Sequence, residues 1–221
     1  MKKILWIFLA LCYGLTACEQ APKADKATVT DAQTVQAGTG SAFLLDTTLS
    51  HVEWVGTKPT GKHHGTLQLS GGAIYVQDSL ITGGQFVVNM YSLKNTDLAA
   101  DTAMKNKLEN ELKGAMFFDV KKYPAATFEI TRVTPLQAIA GEEVAFIGAT
   151  HTVQGNLTLK AVTKNISFPA RIILQDDHIN ALANFNIDRT LWGISYRADK
   201  SLQDKLINSQ VNIGFNITAK R

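Results

Sequence analysis

The chain has 221 residues, 45% of them hydrophobic and 19% charged, with a formal net charge of +3. That length suits one domain of ordinary size with a real core. The near-neutral balance, without basic runs, argues against nucleic acid as a partner.

The chain begins with a basic pair, Lys2 and Lys3, followed by an apolar stretch from Ile4 to Gly14. This stretch is too short to span a bilayer as a stable helix. Leu15-Thr16-Ala17-Cys18 follows directly. The arrangement resembles a bacterial lipoprotein signal with its lipobox. It implies cleavage after residue 17, with Cys18 acylated on sulfur and as the new N-terminal residue. Each buried methylene adds about 0.8 kcal/mol of membrane affinity, so two or three acyl chains make a durable anchor. Glu19 rather than Asp follows the cysteine. The common inner-membrane retention signal is therefore missing, and the expected location is the envelope, on the outer membrane facing the periplasm. Loss of Lys2 and Lys3 leaves 20 basic against 19 acidic residues. Both cysteines, Cys12 and Cys18, lie in this leading region. The folded domain thus has no disulfide, thiolate metal site or cysteine nucleophile, and its core alone must hold it.

Residues 18–42 are rich in Ala, Thr, Gln, Lys, Asp and Gly, with little periodicity. They are expected to form a flexible tether that lets the domain at 43–221 reach along or away from the membrane.

From about residue 43 onwards, alternation with period two dominates. Val52, Trp54 and Gly56 form the first row, followed by Leu67 and Leu69, Ile74 and Val76, and Phe86, Val88 and Met90. Lys58-Pro59-Thr60-Gly61, Ser70-Gly71-Gly72 and Gly83-Gly84 supply turn or kink residues. Between Asp101 and Lys113 the spacing changes: Met104, Leu108 and Leu112 make a helical stripe. Asp101 is the expected N-cap and Gly114 the C′ residue, with Lys105, Lys107, Glu109, Glu111 and Lys113 on the wet side. Alternation then resumes through Ala126, Phe128 and Ile130, through Val153 to Leu159, and through Ile166 to Leu174. After a turn at Gln175-Asp176-Asp177 it continues from Ile179 to Ile187 and from Val211 to Ala219. About eight to ten antiparallel strands and one helix result, with an apolar face and an Asn- and Thr-rich face, which admits either a sandwich or a closed barrel.

Five ordered stretches decide further: Ser50 to Trp54, Gly83 to Leu93 (GGQFVVNMYSL), Leu112 to Phe128 (LKGAMFFDVKKYPAATF), Val153 to Lys164 (VQGNLTLKAVTK) and Phe185 to Tyr196 (FNIDRTLWGISY). Together they resemble the YceI-like family of bacterial envelope proteins, from about Asp46 to the C-terminus. The resemblance implies an all-β, lipocalin-like closed antiparallel barrel of about eight strands, capped by a helix and enclosing a long apolar tunnel. It also implies an apolar lipid ligand: a polyprenyl compound, a quinone with its tail, or a fatty acyl compound. The family offers no catalytic residues to carry over. No cofactor is required, protein partners do not follow from the sequence, and a homodimer stays open.

The residues expected around the tunnel are Trp54, Leu67, Leu69, Phe86, Val88, Phe117, Phe128, Phe146, Leu157, Leu159, Phe168, Phe185, Ile213 and Phe215; a solid core is the alternative for them. Phe117-Phe118 and Tyr123-Pro124, after the helix, are expected to close one end. Arg189, in Asp188-Arg189 before Leu191-Trp192-Gly193, is expected either to lock the chain where it leaves its strand or to contact a ligand head group. His63-His64 suggests no metal site, since neighbours in a strand face opposite ways and no Asp, Glu or Cys stands nearby at ligand spacing; the pair is expected in a turn. There is no Gly-x-Ser-x-Gly elbow, no phosphate loop and no carboxylate pair on an apolar row. The expectation is therefore a binding protein, not an enzyme. Asn156, Asn165 and Asn216 begin glycosylation-like triplets that alternation explains as the wet face.

Overall fold

The computed structural model describes residues 21–137 and 144–221, without the side chains of residues 203–205. Lys2, Lys3, the apolar stretch, Cys18 and Glu19 lie outside the described residues.

Eight strand positions close into an antiparallel barrel. In chain order its strands are β4 (His51–Lys58), β5 (Gly61–Gln77), β6 (Leu80–Asn95), β7 (Ala125–Pro135), β8 (His151–Leu159), β9 (Val162–Leu174), β10 (His178–Asp188) and β11 (Gln210–Lys220). Each pairs with the next, and β11 returns to β4. β3 (Ser41–Leu45) continues the β4 position, pairing with the far ends of β5 and β11. Closure leaves no free sheet edge along these strands except where β9 and β10 part. The architecture is the lipocalin-like all-β barrel, not the sandwich.

Alternation sets the inside. Along β10, Ile179, Ala181, Ala183, Phe185 and Ile187 are all buried, and their partners on β11 carry the matching row. Two-residue turns join β5 to β6 and β8 to β9. Asp78-Ser79 and Lys160-Ala161 both have positive φ at each central residue. This is the hairpin turn whose twist matches the strands. Gly71-Gly72 and Gly83-Gly84 sit inside strands rather than in turns. Gly71 follows a register shift in β5, and Gly84 pairs with Ile74. A Cβ at Gly84 would stand 2.8 Å from the Ala73 carbonyl oxygen and 3.0 Å from Ile130 Cδ1, so the strands can approach this closely only with glycine there.

Helix α1 (Thr102–Lys113) lies across one end of the barrel. Asp101 accepts the Met104 N–H at 2.9 Å as its N-cap. Gly114 ends the helix in extended backbone, with φ −74°, rather than in the left-handed form expected of a C′ glycine. None of the helix residues is fully buried. One expected wet charge is instead the fastener: Glu109 accepts the Asn95 backbone N–H of β6 at 2.8 Å, flanked by Lys105 and Lys113.

The segment expected to be a free tether is largely a strap. β1 (Asp25–Lys26) runs parallel to β10 at Phe185 and Asn186, and β2 (Thr28–Asp31) runs antiparallel to β9 from Ser167 to Lys164. β9 and β10 pair with each other only between Leu174↔Ile179 and Arg171↔Leu182. Beyond that point they diverge, and the strap fills the opening. Its backbone continues over β8, where Asn156 both donates to the Gln33 carbonyl at 2.7 Å and accepts the Gln33 N–H at 3.0 Å. The strap explains why Asn156 and Asn165 are each only 5% exposed rather than on a wet face. A polar, weakly patterned segment can add strands when unpaired backbone and amide side chains are waiting for it.

Candidate functional site

The inward rows do not fill the barrel. They enclose a cavity of about 510 Å³ that runs from the far end to the α1 end. Every residue expected around the tunnel lines it except Phe146. Phe146 lies in the loop before β8 and rests in a shallow outer depression beside Leu182, Asn184 and Asn216. Its loop turns outward because the Ala145 and Phe146 N–H groups both donate to the Asp25 carboxylate, each at 2.9 Å.

The middle of the tunnel is aromatic. Phe168 stacks on Phe185 with ring centroids 4.1 Å apart, and Phe128 and Phe215 approach Phe168 at 5.8 and 5.7 Å. This cluster packs one wall as a core while the remaining space stays open. The tight wall depends on Gly155, where a Cβ would meet the Phe128 ring at 2.2 Å.

Polar groups gather at the α1 end. Lys58 from β4, His63 from β5, Lys107 and Glu111 from α1, and Arg197 and Asn208 from the segment before β11 line the cavity there. The helical stripe of Met104, Leu108 and Leu112 covers the same mouth, as do Phe117 and Phe118. Phe117 packs edge-on against Tyr196 at 5.3 Å, which joins the post-helix loop to the segment after β10. Tyr123-Pro124 does not line the cavity; the Pro124 carbonyl accepts the Met90 N–H at 3.0 Å. The site is therefore a long apolar bore with a charged rim, a shape that suits an amphiphile.

His63 and His64 lie in β5, not in a turn, and do face opposite ways. Their partner, Asp97, arrives from just past β6 and is marked by no ligand spacing along the chain. His63 Nδ1 lies 2.8 Å from one oxygen of Asp97, and the His64 backbone N–H donates to the other at 2.8 Å. Burial pushes the Asp97 carboxyl up, but bonds from the His64 N–H, His63 and Asn95 outweigh it and hold it below the ordinary carboxylate value. Among the described residues no three His, Cys, Asp or Glu side chains converge as a metal site. The indole Nε1 of Trp54, also at this end, is buried without a hydrogen-bond partner.

Arg189 is 5% exposed, and its guanidinium is committed. It donates to the backbone carbonyls of Ile194, Tyr196, Ile207 and Asn208 and lies over the Phe117 ring at 5.7 Å. Asp188 caps the following 3-10 turn through Thr190 and bonds Ser209. This is the geometry of a lock on the segment between β10 and β11, and Arg189 also lines the cavity, beside Phe117.

The YceI-like domain model matches residues 43–219. The chain belongs to the YceI-like domain family. No curated protein matches it. Among solved structures, BcnA of Burkholderia cenocepacia is 20% identical and covers 80% of this chain and 99% of its own, with a TM-score of 0.58. A polyisoprenoid-binding domain from Saccharophagus degradans, implicated in plant cell wall breakdown, is 17% identical over 80% and 97%, with a TM-score of 0.54. A mutant Campylobacter jejuni YceI protein is 14% identical over 86% and 90%, with a TM-score of 0.50. At these identities the likeness is one of fold.

Proposed function

We propose that this YceI-like protein is a lipid-anchored protein of the bacterial envelope that binds, sequesters or carries an isoprenoid-like amphiphile. The carrying observation is the cavity of about 510 Å³, apolar along its bore and charged only at the α1 rim. Burial of a hydrocarbon chain there gains about 25 cal/mol per Å² of apolar area removed from water, offset in part by the cost of association. The head group sits at the rim with Lys58, His63, Lys107 and Arg197. Membership in a family with a polyisoprenoid-binding structural neighbour supports an isoprenoid over other apolar cargo. The role is binding, without catalysis and without a resident cofactor. The alternative, a filled barrel used as a scaffold for a partner, needs a solid core, and the open bore stands against it.

Native mass spectrometry of the protein purified from bacterial envelopes, followed by solvent extraction, tests this reading. A discrete co-purifying mass that extracts as a prenyl compound or quinone is expected. A bare polypeptide that takes up no added prenyl or acyl compound overturns it. The anchor is tested separately, on the outer membrane facing the periplasm. Cys18→Ser is expected to abolish fatty-acid labelling and lipoprotein processing, and continued labelling refutes the lipobox reading.

A further inference from the structure

The strap changes what the anchor can do. With residues 18–42 free, Cys18 could stand about 85 Å from the barrel at full extension. The strap takes up nearly all of that chain. The Pro22 carbonyl already accepts the Asn186 side-chain amide of β10 at 2.9 Å, and the Ala27 N–H donates to the Asn186 carbonyl at 2.9 Å. Only four peptide steps separate Cys18 from Pro22, which limits the separation of Cys18 and that contact to about 14 Å.

A second observation marks the same flank. The loop that Asp25 holds through Ala145 and Phe146 carries Ile147, which at 93% exposure is the most exposed large hydrophobic residue among those described. Val144, in the same loop, is also exposed. Leu182, on the outer face of β10, is exposed too and borders the depression that holds Phe146. The strap itself carries exposed Lys23 and Lys26 on either side of Asp25. Exposed apolar side chains close to a lipid anchor suit the boundary between bilayer headgroups and acyl chains.

We propose that the barrel rides flush on the lipid bilayer, with the strapped β9–β10 flank and the Ile147 loop against the membrane. This rests on the acylation of Cys18 proposed above. Anchor and strap then act as one device: the acyl chains supply the affinity and the strap fixes the orientation.

The test uses full-length acylated protein in vesicles of phosphatidylethanolamine and phosphatidylglycerol, doped with phosphatidylcholine bearing a nitroxide high on its acyl chain. A bimane label at Ile147→Cys is compared with one at Leu80→Cys, on the β5–β6 turn. Severalfold stronger quenching at residue 147 than at residue 80 is expected. Val29→Asp, which breaks the strap's packing while leaving Cys18 intact, is expected to remove the difference while the protein still floats with the vesicles. Equal quenching at both sites in floating protein overturns the docked flank and keeps the anchor. Protein that does not float at all overturns both the anchor and the docking that depends on it.

Discussion

Arg189 shows how one side chain can hold an irregular segment. The twenty-odd residues between β10 and β11 lack a sheet of their own, and four of their carbonyls converge on one planar fork. Lysine offers a single point charge and cannot span such a set. Arg189→Leu leaves four inward carbonyls without donors and is expected to cost at least about 3 kcal/mol in urea unfolding, with Arg189→Lys in between. A loss below the error of such a measurement would show that water replaces the fork and that the lock carries no weight. Phe168 is the corresponding residue inside the bore. It touches three other rings, and Phe168→Ala is expected to cost about 3 kcal/mol. The tunnel would also widen, so a longer or bulkier prenyl compound should bind relatively better. An unchanged preference across prenyl lengths would show that this wall does not contact the ligand.

At the scale of elements, α1 is the weakly held part. It has no buried residue, and among the described residues Glu109 is its one side-chain hydrogen bond to the barrel. Elements with few buried contacts open at lower free energy than the core. Amides of α1 are expected to exchange by local opening, well ahead of those in the β10–β11 ladder. Asp101→Ala removes the cap, worth about 1 kcal/mol. It should speed exchange in the helix while leaving the global unfolding midpoint nearly unchanged. Equal protection in α1 and β10, or a global loss from Asp101→Ala, would make the helix part of the cooperative barrel rather than a cover over its mouth.

The whole molecule responds to pH through groups spread around the barrel. Burial alone holds the His151 pKa below its ordinary 6.5. Its contribution to stability is complete above that value and is lost as pH falls from there towards the folded pKa. Asp97 and Asp188 lie below 3.8 because their hydrogen bonds outweigh burial, and the ion pair of Asp46 with Lys220 pulls Asp46 down most strongly. A depressed carboxylate contributes above its unfolded pKa and loses that contribution as pH falls through the folded one. A urea midpoint that is flat above neutrality, shallowly lower just below pH 6.5 and steeply lower below 3.8 is expected. His151→Asn should erase the first step alone. A midpoint that rises on acidification would reverse the sign of these assignments.

The amino-acid sequence by itself determined which face of each strand turns inward. Side chains along a strand alternate strictly, and one buried face leaves a legible row, as from Ile179 to Ile187. It also placed α1 and its cap, since a change of period from two to four has few other causes. Ordered motifs carried the family and, through it, the barrel. Tertiary structure decided the rest, because it depends on groups far apart in the chain. Asp97 meets His63 across 34 positions, and Asn156 meets Gln33 across 123. Phe146 reads as apolar wherever it stands, and the hold of Asp25 on its backbone keeps it outside the barrel. The strap is bound through backbone and amide hydrogen bonds, with only Ala27 and Val29 of its described residues packed on the core cluster of Ile166, Phe168 and Phe185. Backbone groups occur in every residue, and neither they nor amide side chains leave a hydrophobic pattern, so a segment that reads as a tether becomes the seal along the side of the barrel.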